Sequence, residues 1–149
     1  MKYATSGALS YSDRKDRHVC ESMWWIETGI VSCAFKLVDP DGDVITKMDN
    51  YGRLHVYKGY IWDGSSGPTI DGVADPVPSL VHDVLYEAMR SGRLHASLRK
   101  AVDNLYYELL RERGMGRFRA GMRYYGLRIV GVWAASRLKG PEYPIRKAS

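Results

Sequence analysis

Residues 59–86 read GYIWDGSSGPTIDGVADPVPSLVHDVLY, and the texture of the chain changes inside that stretch. Before Trp62 the pattern is strand-like. From Trp62 to Pro78 it is rich in Gly, Pro and Asp, the chemistry of a long loop. From Leu80 to Arg90 the apolar residues Val81, Val84, Leu85 and Ala88 fall on one helical face. Asp75 is a suitable N-cap, with Pro76 at the first helical position, where its missing N–H costs nothing. Ser79 is the alternative cap, and Ser91-Gly92 ends a helix over Ser79–Ser91.

Upstream of this stretch, Val31–Leu37 is β-rich, and Asp39-Pro40-Asp41-Gly42 is a turn. Val44–Lys47 returns, Asn50-Tyr51-Gly52 turns again, and Leu54–Tyr57 alternates. Downstream, Ala96–Arg113 carries Leu98, Val102, Leu105 and Leu109 on one face. A third helix, from about Arg117 to Leu138, has Phe118, Met122, Tyr125, Ile129 and Val132 as its expected core stripe. Its glycines recur every five residues, a period that lies on no single face. The expected fold is α+β: a small antiparallel sheet, a long loop, then three helices. Residues 1–149 are read as one domain, with a polar arm or irregular edge at 1–22 and a β meander at 23–61. A site loop at 62–78, helices at 79–138 and a tail at 139–149 follow.

The composition is that of an ordinary globular chain, 45% apolar and 26% charged, which excludes a disordered one. Two cysteines, Cys20 and Cys33, do not make a disulfide framework, so a reducing compartment is expected. The N-terminus lacks the apolar run of a signal peptide, and no stretch is apolar for long enough to span a bilayer. The net charge of +5 is uneven. From Gly114 onward eight Arg and Lys face one acid, Glu142, so that segment is +7 and residues 1–113 sum to −2. A basic tail on a near-neutral body points to an anionic partner, whether a lipid surface, a nucleic acid or a host protein.

Chemistry concentrates on His82, Asp83 and Tyr86. His82 and Tyr86, four apart, stack on the flank of their helix, and Asp83 points away from the core. A helix N-terminus disfavours imidazolium and keeps His82 a proton acceptor. Asp103 sits on the flank of the next helix, where face-to-face packing would bring it to His82. A carboxylate on one imidazole nitrogen leaves the other free as a general base. Asp63, Asp71, Asp75 and Asp83 are oxygen ligands suited to Ca²⁺ or a similar cation. Trp62, Gly64, Ser65 and Ser66 are the loop residues expected to meet a substrate. Asp63 equally suits an Asx-turn. Asp39-x-Asp41-Gly42-Asp43 has Asn50 where a calcium loop needs its bidentate Glu, so a hairpin turn is expected. His55 reads as a packed or exposed strand residue, Trp24-Trp25 as core, and His18 and His95 have no visible constellation.

His82-Asp83-x-x-Tyr86 followed by Asp103 resembles the catalytic core of the phospholipase A2 superfamily, over about 45 residues from Tyr60 to Asp103. The resemblance implies His82 as base, Asp103 as its partner, Tyr86 as a brace and Asp83 as a calcium ligand. The Cys-rich frame of the secreted members is absent, and the loop reads YIWDGSSGP instead of the Tyr-x-Gly-x-Gly type. A longer likeness covers Gly59-x-x-Trp62-Asp63-Gly64-x-Ser66-x-Pro68, His82-Asp83-x-Leu85-Tyr86 and Arg99-Lys100-x-x-Asp103. These motifs, between a β-rich N-terminus and an Arg-rich last helix, resemble a family of small phage and prophage proteins of unknown function. That implies a phage origin, in the bacterial host cytoplasm or the phage particle, and no particular activity. Three expectations follow: a metal-assisted hydrolase, a module that binds a host factor, or a virion or tail component.

Overall fold

The computed structural model describes residues 2–14, 17–62 and 75–136. The strands are β1 (Tyr11–Arg14), β2 (Arg17–Cys20), β3 (Trp24–Glu27), β4 (Phe35–Val38), β5 (Val44–Met48), β6 (Arg53–Val56) and β7 (Ile61–Trp62). The helices are α1 (Pro76–Arg90), α2 (Arg99–Glu112) and α3 (Arg117–Ser136), with a 3-10 turn at Ala96–Leu98 before α2. The α+β class is as expected.

The strands form two antiparallel sheets, ordered β1-β2-β7 and β3-β6-β5-β4. In the larger sheet, period-2 alternation sets the buried face. Trp24 and Ile26 of β3 stand opposite Val56 and Leu54 of β6, and all four are buried. On the other face Glu27 pairs with Arg53 at 2.6 Å, and the Arg53 guanidinium lies 4.0 Å from the Trp25 ring. Trp24 is thus core, and Trp25 half-exposed beneath a cation. Asp39 closes the β4–β5 hairpin by accepting the N–H groups of Asp41 and Asp43 at 3.0 and 2.9 Å. The turn reading of that segment holds. Gly52 has φ +90°, and a Cβ there would meet the Ile30 carbonyl oxygen at 2.8 Å, so this turn requires glycine.

Of the two readings of residues 1–22, the described ones form sheet edge and not a free arm. Tyr11–Arg14 and Arg17–Cys20 form a hairpin, and β2 then pairs with β7, setting His18 opposite Trp62. Thr5 bridges Ile26, and Glu27 donates to the Ala4 carbonyl at 2.8 Å. The free edge of β3 is thereby covered, as an edge with unpaired peptide groups demands. The 62–78 loop also narrows at both ends. Trp62 belongs to β7, because Tyr60 and Trp62 continue the alternation and are both fully buried. At the other end Asp75 caps α1, its carboxylate accepting from the Val77 N–H at 2.9 Å, with Pro76 in the first turn.

α1 and α2 are joined through Gly92–His95 and the 3-10 turn. Arg113, just past α2, bonds the second oxygen of Asp75 at 2.8 Å. The start of α1 is therefore clasped to the end of α2. The main core draws on both sheets and on α1 and α2, with Trp24, Leu54, Tyr60, Trp62, Leu80, Leu85 and Leu109 among its members. A smaller cluster of Tyr106, Leu110 and Ala120, flanked by Tyr107, Met115 and Leu127, seats α3 on α2.

The orientation of α3 overturns the expected core stripe. Phe118, Met122, Tyr125 and Ile129 are 78%, 58%, 67% and 76% exposed, and the side chain of Val132 lies outside the described residues. What turns inward is Ala120, Leu127 and the polar side of the helix, including Arg128. The cause sits on α2, whose facing surface holds the buried carboxylate of Asp103. A buried charge is costly unless well paired, so Arg128 on the polar flank of α3 faces in beside Arg99 and the apolar ridge faces out.

Candidate functional site

α1 and α2 meet with Asp103 at the seam. Its side chain is wholly buried, and four side chains converge on it. His82 Nε2 lies 3.1 Å from Oδ1, and the Tyr86 hydroxyl donates to the same oxygen at 2.6 Å. Arg128 of α3 donates to Oδ2 at 3.1 Å, and Arg99, one turn earlier on α2, stands 3.7 Å from it. Arg99 also donates to the Arg128 carbonyl at 3.4 Å, tying α3 to α2 at this point. The His82 ring lies 4.0 Å from that of Tyr86 and 5.1 Å from that of Tyr106, both centroid to centroid.

The electrostatics follow from this burial. Burial opposes ionisation of Asp103, but the hydrogen bonds from His82, Tyr86 and Arg128 outweigh it and hold the carboxyl below its ordinary range. Burial pushes the His82 imidazole down, against the pull of Asp103, so the ring is neutral near pH 7. The helix terminus is not the cause. α1 starts at Pro76, which puts His82 in the second turn, beyond the reach of most of the dipole. Tyr86 is pushed well up, first by burial and then by its bond to Asp103, and stays a donor.

This leaves one acceptor position. With Nε2–H engaged on Asp103, Nδ1 of His82 carries the lone pair, and among the described residues nothing is bonded to it. A neutral imidazole held in one tautomer by a buried carboxylate can take a proton from water or a hydroxyl at Nδ1.

Of the other residues singled out in the sequence, Asp83 is half-buried beside this seam; the Tyr106 hydroxyl there is pushed up chiefly by burial, with Arg123 opposing and Asp83 adding a smaller rise. Asp63, Gly64, Ser65, Ser66 and Asp71 lie outside the described residues. Trp62 is no loop residue. It is buried, with its indole N–H meeting no acceptor among the described residues. Among the described residues no group of three or more His, Cys, Asp or Glu could hold a metal. Asp83 thus has no such ligand set around it among the described residues.

Two partners of Asp103 were not anticipated. Arg99 was legible, since it stands four residues before Asp103 on one helix. Arg128 was hidden by the mistaken orientation of α3. A second histidine cluster also appears. His18 Nδ1 bonds Asp13, and its ring lies 5.4 Å from that of Tyr11 and 5.2 Å from that of Trp62. His95 accepts the Ser97 N–H at 3.1 Å, a cap for the turn before α2. Cys20 and Cys33 are free thiols. No family model, curated protein or solved structure matches the chain.

Proposed function

We propose that the chain is a phage-encoded hydrolase of phospholipase A2-like type, with His82 as general base, Asp103 as its orienting partner and Tyr86 as a brace. The observation that carries this reading is the Asp103 carboxylate, 3.1 Å from His82 Nε2 and 2.6 Å from the Tyr86 hydroxyl, which leaves Nδ1 available. In the reaction, a water at Nδ1 gives its proton to His82 as its oxygen attacks an ester carbonyl. The imidazolium so formed is stabilised by Asp103, and the proton passes to the departing alkoxide as the C–O bond breaks. Asp83 and Asp63 are the proposed holders of a Ca²⁺ ion, which would polarise the carbonyl when bound. Gly64, Ser65 and Ser66 are the proposed substrate side, and Trp62, buried in β7, anchors the strand before them. The bacterial host cytoplasm or the phage particle is the proposed location.

The experiment is fatty-acid release from phospholipid vesicles and from a soluble short-chain ester, with calcium and with chelator. Wild type is expected to turn over. His82→Gln is expected to fold and to lose about 10²–10⁴-fold in kcat. No turnover by the wild-type chain under either condition sinks the hydrolase.

One observation favours a second, architectural reading, in a virion component or a module that binds a host factor. Asp103 is already ion-paired with two arginines, as in a buried polar hub that only joins helices. On that reading His82→Gln lowers the melting temperature sharply and there is no turnover to lose.

A further inference from the structure

Phe118, Met122, Tyr125 and Ile129 form a single exposed ridge along the outer face of α3. At about 100° per residue they fall within roughly 60° of one another over three turns. Scattered exposed apolar residues are ordinary, but four large ones in one line, each more than half exposed, are not. The inward side of the same helix is fixed by Arg128 on Asp103 and by Ala120 against Tyr106 and Leu110. The ridge is thus an outer surface by construction. Arg117 and Arg119 are exposed and stand to either side of it, each about 100° from Phe118. Residues 117–136 contain no Asp or Glu.

We infer that this face docks on an anionic lipid surface, with the ridge below the headgroups and Arg117 and Arg119 at the phosphates. Three occupants compete, and charge separates them. A second copy laid ridge to ridge would present no Asp or Glu to Arg117 from residues 117–136 of its own helix, so charge gives that pairing no support. A nucleic acid would satisfy the arginines but leave the apolar ridge against a phosphate backbone. An anionic bilayer takes both, since apolar side chains enter the acyl boundary while arginines extend to the headgroups. No described helix is long and apolar enough to cross a membrane, so α3 lies on the surface. This inference goes beyond the hydrolase reading and does not require His82.

The test is co-sedimentation of the full chain with phosphatidylcholine vesicles and with vesicles also containing phosphatidylglycerol. Binding is expected only to the anionic vesicles, and to weaken as salt rises. The double variant Phe118→Ser/Ile129→Ser is expected to bind about tenfold more weakly or worse, with unchanged helical circular dichroism. Arg117→Glu/Arg119→Glu is expected to lose binding in the same way. His82→Gln is expected to bind as wild type does, so failure of docking and failure of catalysis read out separately. Absence of wild-type binding to anionic vesicles overturns the inference, as does undiminished binding by the serine variant. A concentration-dependent dimer that the serine variant abolishes also overturns it and assigns the ridge to a second copy.

Discussion

The molecule holds two His–Asp pairs in opposite surroundings. On the β1–β2 hairpin, His18 bonds an Asp13 that is 67% exposed. In the α1–α2 seam, His82 bonds an Asp103 that is wholly buried and shared with Tyr86, Arg99 and Arg128. The first pair has water to fall back on, so its geometry can relax at little cost. The second has no such recourse, because each partner it loses leaves a buried charge or donor unanswered. What distinguishes a candidate site from a surface contact is therefore the set of groups that holds the pair in place.

Removing the two carboxylates should expose this difference most strongly. Asp103→Ala is expected to cost ~3–5 kcal/mol of stability in urea unfolding, whereas Asp13→Ala should stay within about 1 kcal/mol. Equal costs would erase the contrast. Tyr86→Phe removes one donor to the buried carboxylate and is expected to cost about 1.5–3 kcal/mol. A loss of activity in this variant larger than its loss of stability would mark Tyr86 as more than a brace. The smallest effect is in the pH dependence. The folded His82 pKa lies below its ordinary 6.5, so the unfolded chain binds a proton that the native chain refuses. Stability from this group is complete above about pH 6.5 and falls as pH drops toward the folded value. Melting temperatures measured downward from about pH 8 should show that decline, and His82→Gln should flatten it. A slope unchanged in His82→Gln would place the titrating group elsewhere.

Much of the seam was legible from spacing. Val81, Val84, Leu85 and Ala88 fix the inner face of α1, and that face places His82 and Tyr86 together on its flank. The spacing of Val102, Leu105 and Leu109 does the same for Asp103. Two antiparallel helices joined by a short link then leave little choice about which flanks meet. The hairpin at Tyr11–Cys20 was not legible, because Ser12, Asp13 and Arg17 give it no apolar alternation. Its order comes from pairing with a strand some forty residues away. α3 was read inside out for a related reason. A hydrophobic stripe reports which side of a helix avoids water, but the buried charge of Asp103 asked for an arginine, and Arg128 lies away from that stripe.

Arg128 also bears on how the chain comes into being. Synthesis delivers α1 and α2 before α3, and among the described residues of those two helices the cation near Oδ2 of Asp103 is Arg99, on its own helix. Before α3 docks, the acid at the centre of that pair has His82, Tyr86 and Arg99 to answer it but lacks the Arg128 that bonds Oδ2. The last helix completes the electrostatics of the first two, which makes the order of translation part of how this seam is assembled.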